Sequence, residues 1–292
     1  MSNNRRKAVE IVRGHSAIDG AGVHLTRVLG IKTTKSFDPF LMLDGFDSHN
    51  PADYIKGFPW HPHRGIETVT YLIHGAMEHG DSLGNKGVIE AGGTQWMSAG
   101  SGIIHQEMPK ASEHLLGCQL WVNLPSDQKM SEPSYGDISA ADVPAVDDGN
   151  ATVRVISGNY KGTDGAFAPK YVQVTYLDVD LAPDTIWEYD GIANNETLFT
   201  YLFTGEMAVN EELDDMERKG CAVLYAPTTT SKEDHDILRI KAGKEGARFA
   251  LLAAEPLGEP IAWGGPVVMN TREELHNAFD ELDKGTFIKH KA

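Results

Sequence analysis

HPHRGIETVTY, residues 61–71 of the chain, joins two imidazoles to a run of strand-forming residues. Residues i and i+2 of a β-strand point to the same face of a sheet, so His61 and His63 would aim in one direction. The residues that follow are mainly β-branched or aromatic, which favours a strand. Glu67 lies four residues beyond His63 and shares its face if the strand continues. This stretch therefore predicts a β-rich fold with metal-type ligands on one strand face.

A second pair of ligand-type residues, His105 and Glu107, has the same spacing further along the chain. Two antiparallel strands carrying the two pairs could place three imidazoles and one or two carboxylates at one point inside a barrel. Such a donor set suits a divalent transition metal, and open coordination positions would make the site catalytic. Ordinary half-buried histidines are the alternative, but they would have to account for two independent same-face pairs.

The first half of the chain reads as short strands that are separated by glycine-containing turns. Strands at short and fairly even intervals are typical of an antiparallel sandwich or barrel. The predicted strands are 65–73, 87–90, 94–97, 103–108 and 117–124.

Alternating strands resume after a proline- and aspartate-rich interval, so the two halves look like one architecture used twice. We expect an N-terminal metal-binding barrel at 1–135 and a C-terminal barrel at 150–292. The second half has no His-x-His pattern, and we expect it to be free of metal. Thr271 and Glu274 match a capping box, which predicts an amphipathic helix at about 271–284.

The composition of the chain limits the binding partners and the cellular compartment that we expect. A formal net charge of −16 disfavours direct binding to nucleic acid or to anionic membranes. The two cysteines, Cys118 and Cys221, are expected to be buried and reduced. The basic N-terminus has no apolar segment after it, and no stretch is long enough for a membrane span. We therefore expect a cytoplasmic protein, and we expect it to be a monomer.

Other side chains near the candidate ligands allow two interpretations. Core packing is the ordinary role for the apolar ones, and the functional alternative is a pocket for an aromatic substrate above a metal. These side chains are Phe58, Trp60, Met97 and Met108. Three further histidines are expected at the surface or in hydrogen bonds rather than as ligands: His74, His79 and His114.

At these residues the sequence closely resembles the pirin family, within the bicupin group of the cupin superfamily. The resemblance spans nearly the whole chain, is highly specific in the first half and is looser from about 150 to 255. The matching stretches are DPFLMLD at 38–44, HPHRGIETVTY at 61–71, MSAGSGIIHQEMP at 97–109, QLWVNLP at 119–125 and GPVVMNT at 265–271. The chain departs from the family pattern at residues 45–47 and looks individual at 48–57, which leaves the substrate open.

The resemblance implies an all-β protein with two antiparallel β-barrel domains of cupin, or jelly-roll, type stacked face to face, plus a C-terminal helix. In pirins the positions that match His61, His63, His105 and Glu107 hold iron. We therefore expect one divalent transition metal, Fe(II), while Cu, Ni, Mn and Zn stay open. Glu67 occupies the position where many other cupins have their carboxylate ligand. Here we expect it to support the ligand residues and not to bind the metal directly.

The function that the resemblance implies is a quercetin 2,3-dioxygenase type of reaction at the metal. A flavonol-like aromatic substrate and dioxygen would be the partners, with Glu107 or Glu67 accepting the hydroxyl proton of the substrate. The alternative is an iron-binding, redox-sensitive regulator that acts through protein–protein contacts, which the acidic surface permits. Oxygen uptake with quercetin would separate the two hypotheses.

Overall fold

A computed structural model describes residues 4–290 of the chain. This part of the chain is mostly β-strand, with one α-helix near its C-terminal end. The strands, in chain order, are β1 Lys7–Arg13, β2 His15–Asp19, β3 Val23–Leu29, β4 Phe40–Ser48, β5 Phe58–His63, β6 Ile66–His74, β7 Met77–Asp81, β8 Lys86–Ile89, β9 Thr94–Ser98, β10 Ile103–Pro109, β11 Leu115–Asn123, β12 Ser134–Ile138, β13 Ala145–Asp147, β14 Ala151–Ser157, β15 Asn159–Tyr160, β16 Thr163–Asp164, β17 Thr175–Leu181, β18 Ile186–Tyr189, β19 Thr197–Ala208, β20 Met216–Arg218, β21 Cys221–Ala226, β22 Leu238–Ala254, β23 Ala262–Gly264 and β24 Val267–Met269. The helix α1 spans Arg272–Asp283, and short 3₁₀ turns span Pro51–Asp53 and Ser126–Gln128.

The strands predicted in the first half are all present as β6, β8, β9, β10 and β11, with ends displaced by one or two residues. Their pairings are antiparallel, which confirms the predicted fold class. The helix also begins where the capping box predicts. The Thr271 side chain accepts a hydrogen bond from the backbone N–H of Glu274, and the Glu274 side chain accepts one from the backbone of Thr271.

The chain forms two compact units, and each unit is discontinuous in sequence. We call the first the histidine unit; it consists of residues 15–35, 39–140 and 257–290. We call the second the aromatic unit; it consists of residues 4–14, 36–38 and 141–256.

The units differ from the predicted bounds of 1–135 and 150–292 at both ends of the chain. Strand β1 pairs with β21 and so belongs to the aromatic unit. Strands β23 and β24 and helix α1 belong to the histidine unit, where Ala278 is buried with Met269 and Phe287. Local periodicity predicts a strand or a helix but does not reveal which distant segment it will join, because that choice depends on long-range pairing.

The histidine unit contains a seven-stranded and a four-stranded antiparallel sheet. The larger sheet has the order β12-β9-β6-β11-β4-β3-β2, and the smaller has the order β5-β10-β7-β8. Side chains of both sheets share one apolar cluster, in which Leu72 of β6 lies with Met77 of β7. The interior of the unit therefore lies between the two sheets.

The aromatic unit is built on one strongly curved antiparallel sheet. Its strands follow the order β1-β21-β19-β22-β17-β14-β13, with β18 paired to β22 and β20 paired to β19. The 17-residue strand β22 pairs with β18 over its first residues and with β17 over its last ones. One long strand thus contributes to both sides of a closed core.

Candidate metal centre

The candidate ligands lie on two paired strands of the four-stranded sheet. Strands β5 and β10 are antiparallel, with His105 directly opposite His61 and Ile103 opposite His63. The ring centroids of His61 and His105 are 4.3 Å apart, and the centroid of His63 is 4.8 Å from His61 and 4.9 Å from His105. The expectation that two antiparallel strands bring these three imidazoles together is confirmed.

Backbone carbonyls orient two of the three rings. A carbonyl oxygen can only accept a hydrogen bond, so a ring nitrogen that contacts one carries the proton. Nδ1 of His61 lies 2.9 Å from the carbonyl oxygen of Pro59, and Nδ1 of His63 lies 3.1 Å from that of Pro266. Both rings therefore carry hydrogen on Nδ1 and present Nε2 as a free lone pair, which is the usual arrangement of metal-binding histidines.

Pro266 reaches His63 because the C-terminal segment is tied to the end of strand β5. The backbone N–H of Val268 donates to the carbonyl of Arg64, and the Lys129 ammonium donates to the carbonyls of both Gly65 and Val268. Gly65 has φ +77°, and a Cβ there would lie 2.0 Å from the Val268 carbonyl oxygen. Only glycine permits this approach.

Two of the imidazoles, His63 and His105, are held in the neutral form that binds metals. Burial, reinforced by the neighbouring His61, lowers the pKa of His63 to about 3. Burial first, and then the neighbouring histidines, place the pKa of His105 well below its usual value. A neutral imidazole keeps a lone pair at physiological pH and can act as a ligand.

Unpaired nitrogens at this point match what a metal site requires. Nε2 of His63 and both ring nitrogens of His105 are buried and have no hydrogen-bond partner among the described residues. Ligand atoms of His61, His63 and His105 all lie within 4.8 Å of one another. Buried polar atoms are almost always hydrogen-bonded, so several orphans in one place indicate a position for an ion or water. The three residues fit a first-row divalent metal.

Glu107 provides a carboxylate beside these rings. Its Oε2 is 4.0 Å from Nε2 of His105. Gln119 donates to both carboxylate oxygens at 2.8 and 2.7 Å, and Thr70 donates to Oε1 at 2.9 Å. The side-chain carbonyl oxygen of Gln119 accepts a hydrogen bond from the indole N–H of Trp121 at 3.3 Å. This network keeps a buried carboxylate in place next to the imidazoles.

Glu67 does not share the face of His63, because the strand that carries His63 does not continue to Glu67. Strand β5 ends at His63, and the positive φ of Gly65 breaks the alternation before β6 begins. Within β6, Glu67 and Thr70 have opposite parity, and Thr70 is the residue that contacts Glu107. Glu67 therefore lies on the other face of the sheet, where the Trp96 indole N–H donates to it at 2.9 Å. Burial raises the pKa of Glu67 to about 7.

His79 belongs to the site region, although a surface or hydrogen-bonding role was predicted for it. It lies opposite Glu107 on the paired strand β7, is buried, and has its ring centroid 5.4 Å from that of His105. Its ring stacks on Tyr135 at 4.7 Å, and its Nε2 is 3.7 Å from Asp81. The i, i+2 spacing of His79 and Asp81 is a signal of the same kind as the ligand pairs, and it could have revealed them.

The apolar side of the site differs from the expected one. Trp121 packs edge-on against His63 with centroids 4.9 Å apart, and Trp263 lies 5.8 Å from Trp121. Met97 is buried in the same apolar cluster. Trp60, by contrast, is 54% exposed and is not a core residue. The aromatic surface beside the imidazoles thus comes from β11 and β23.

Comparison with known proteins places this chain in a family. The family model for pirin matches residues 22–122, and the model for the pirin C-terminal cupin domain matches residues 176–288. A pirin-like protein of Caulobacter vibrioides is 43% identical over 285 residues, which cover 97% of this chain and 99% of the relative. The chain belongs to the pirin family.

Solved structures share the fold of this pirin-family chain. A quercetin 2,3-dioxygenase from Acinetobacter baumannii has a TM-score of 0.84 and 30% identity, and covers 97% of this chain and 98% of its own. A bacterial pirin from Escherichia coli in complex with nickel(II) has a TM-score of 0.63 and 18% identity, and covers 85% of this chain and 99% of its own. None of the helices within residues 4–290 has the length and apolar character needed to cross a membrane.

Proposed function

We propose that this pirin-family protein is a metal-dependent dioxygenase of the quercetin 2,3-dioxygenase type, acting on a flavonol-like aromatic substrate. The observation that carries the proposal is the convergence of His61, His63 and His105 in a site where buried ring nitrogens lack partners. The activity named for the Acinetobacter baumannii structure supports the choice of reaction.

The three imidazoles would hold the metal, and Glu107 would complete the set with a carboxylate. A bound divalent transition metal would supply Lewis-acid polarisation of the substrate hydroxyl. We propose iron(II), and the nickel(II) in the Escherichia coli pirin supports a family site that accepts more than one first-row ion. Three neutral imidazoles with one carboxylate leave a divalent ion with about one net positive charge, which favours an anionic substrate oxygen.

Glu107 is also the group placed to accept the hydroxyl proton. A carboxylate has about four acceptor positions, and Gln119 and Thr70 occupy three of them. Oε1 carries two of these hydrogen bonds and Oε2 carries one, so Oε2, which faces His105, retains acceptor capacity. We no longer assign Glu67 a catalytic role, because its strand parity directs it to the opposite face.

Trp121 and Trp263 would bind the aromatic rings of the substrate. They lie on the side of His63, and the apolar cluster around them includes Met97 and Ile103. Such a surface excludes water and stacks on planar rings, while Glu107 and the imidazoles orient the polar edge.

The test is oxygen uptake and carbon monoxide release by the iron-loaded protein with quercetin. We expect the two gases to change in equal amounts, because ring cleavage by a dioxygenase of this type consumes one and releases the other. The variant His61→Ala/His105→Ala should fall to the rate of quercetin autoxidation in buffer. The matched control is His24→Ala, which removes an exposed histidine of the same unit.

Equal uptake by the wild type and the double variant would refute the proposal. Full iron loading without turnover would instead favour the regulatory alternative. A partner whose capture depends on the oxidation state of the iron would then be the expected finding.

A further inference from the structure

A second group of metal-type ligands lies where strands β4 and β11 meet the surface. Asp47 is near the end of β4, His49 follows that strand, and His114 directly precedes β11. Their ligand atoms all lie within 4.8 Å of one another. Ser48 pairs with Leu115, so continuing the antiparallel register places His49 opposite His114. Asp47 lies two residues before His49 and therefore on the same face of the sheet.

The side chains of this group already contact one another. Nε2 of His114 is 2.8 Å from Oδ1 of Asp47. The rings of His49 and His114 stack with centroids 4.0 Å apart and planes inclined by 22°. The ring centroid of His74, at the end of β6, lies 5.4 Å from that of His114. Three imidazoles and a carboxylate are thus gathered at neighbouring ends of the central strands β6, β11 and β4.

The loops that carry the two central histidines are tied together before any ion binds. The buried Tyr54 hydroxyl donates to the carbonyl of Ser112 at 3.1 Å and accepts from its N–H at 3.2 Å. The Ser112 hydroxyl then donates to the carbonyl of His114 at 3.0 Å. On the other side, the side chain of Asn50 accepts the N–H of Ala52 and caps the turn after His49.

The protonation pattern leaves a free ligand atom on His49. Its Nδ1 lies 2.9 Å from the carbonyl oxygen of Glu113, which can only accept, so that nitrogen carries hydrogen. Nε2 of His49 is then the ring nitrogen that is available as a ligand atom. A backbone carbonyl thus orients the ring of His49 through Nδ1, as carbonyls orient His61 and His63 in the candidate metal centre.

We propose that Asp47, His49 and His114 form a second divalent metal site, of the class that takes Zn²⁺, Ni²⁺ or Cu²⁺. Two imidazoles and a carboxylate are a borderline donor set that suits these ions and leaves a position for water or for His74. The ion would take the place of the hydrogen between Nε2 of His114 and Asp47, and that hydrogen would pass to the other ring nitrogen of His114 or to water.

This site is separate from the candidate metal centre. His114 precedes Gln119, the residue that binds Glu107, by five positions along β11, which corresponds to about 17 Å of extended strand. One ion cannot serve both groups. An ion at the second site would clamp the loop after β4 to the loop before β11.

The experiment is equilibrium dialysis against buffered micromolar Zn²⁺, followed by elemental analysis. We expect about two zinc ions per wild-type chain and about one for His49→Ala/His114→Ala. His61→Ala/His105→Ala should also keep about one, and the variant with all four changes should keep none. His24→Ala, an exposed histidine outside both groups, is the matched control and should bind like the wild type.

The proposal fails if His49→Ala/His114→Ala binds as much zinc as the wild type, or if His61→Ala/His105→Ala binds none. Thermal unfolding provides an independent readout. Zinc should raise the Tm of His61→Ala/His105→Ala, and adding Asp47→Asn and His49→Ala should remove that rise. A rise that survives these changes would place the ion elsewhere and overturn the assignment.

Discussion

The histidine unit and the aromatic unit share an antiparallel β architecture but fill their interiors in opposite ways. The first gathers imidazoles of which several buried nitrogens, Nε2 of His63 and both nitrogens of His105, lack hydrogen-bond partners within the described residues. The second gathers Trp187, Tyr189 and Phe249 in ring contacts at 5.4 and 5.8 Å. A buried orphan nitrogen costs stability, whereas a packed aromatic ring contributes it. The difference supports the proposal that the first interior binds a metal, whereas the second contributes packing.

The polar atoms of three aromatic side chains in this core are hydrogen-bonded, which sharpens the contrast. The indole N–H of Trp187 donates to the hydroxyl of Tyr160 at 3.1 Å, and that hydroxyl donates to Asp148 at 2.5 Å. The hydroxyl of Tyr189 donates to the carbonyl of Asn159 at 3.0 Å. Within residues 4–290, the two groupings of three or more metal-type ligands that come together both lie in the histidine unit. That the second barrel is free of metal stays a prediction.

The largest effect should come from Trp187→Ala in the aromatic unit. Loss of a buried indole should lower the free energy of unfolding by about 3–5 kcal/mol through the cavity that it leaves. Urea unfolding followed by far-ultraviolet circular dichroism measures this, with Trp187→Phe as the milder control. His105→Ala should cost less, because it removes a ring with two unpaired buried nitrogens, but it should abolish metal binding at the candidate metal centre. If Trp187→Ala stays folded but loses its metal, the aromatic unit also affects binding, which would contradict the contrast between the two units.

The next effect concerns Glu67, the carboxyl that the fold directs away from the site. Its pKa is raised to about 7 from 4.5, so the folded state holds an extra proton between those values. Its stabilising contribution is therefore complete below pH 4.5 and is lost as the pH rises through 7, by about 3 kcal/mol. The difference in unfolding free energy between the metal-free wild type and Glu67→Gln should follow that slope. Glu90→Gln, at an exposed position, is the matched control.

A flat difference between the wild type and Glu67→Gln across this range would mean that Glu67 is ionised in the folded protein. The hydrogen bond from the Trp96 indole would then stabilise the ionised carboxylate.

The smallest effect should come from Gln119→Leu, which removes two of the three hydrogen bonds to Glu107. Loss of such a supporting residue typically lowers metal affinity by about 10–100-fold. Chelator competition with the reconstituted protein measures it. Gln173→Leu removes an amide from the aromatic unit, where it bonds the Pro169 carbonyl, and should leave the affinity unchanged. Unchanged affinity in Gln119→Leu would argue that Glu107 is not a ligand.

Much of the candidate site follows from local patterns, and the misses have identifiable causes. The pairing of His61 with His105 could be anticipated because both pairs have strand spacing and short turns lie between the strands. The face of Glu67 was predicted only for an unbroken strand, and the positive φ of Gly65 interrupts that strand. His79 was underrated because its importance depends on β7 lying beside β10, which sequence spacing alone does not specify.

The location in the cytoplasm, the monomeric state, the identity of the metal and any protein partner stay predictions. Each depends on interactions with other molecules rather than on the packing of this chain. The group of Asp47, His49 and His114 likewise depends on contacts that local sequence patterns do not specify. His114 was expected at the surface, and it is partly exposed, but its stacking on His49 required two loops to meet.

The sequence by itself determined the strand content, the capped helix and the ligand types, because side-chain periodicity and capping are local properties of the chain. The tertiary structure alone decided which carbonyl orients His63, since Pro266 lies 203 residues away. It also decided that Glu107, and not Glu67, faces the imidazoles, and that the first strand and the last helix belong to different units. Those outcomes depend on register and long-range pairing, which a chain acquires only when distant segments bury their surfaces together.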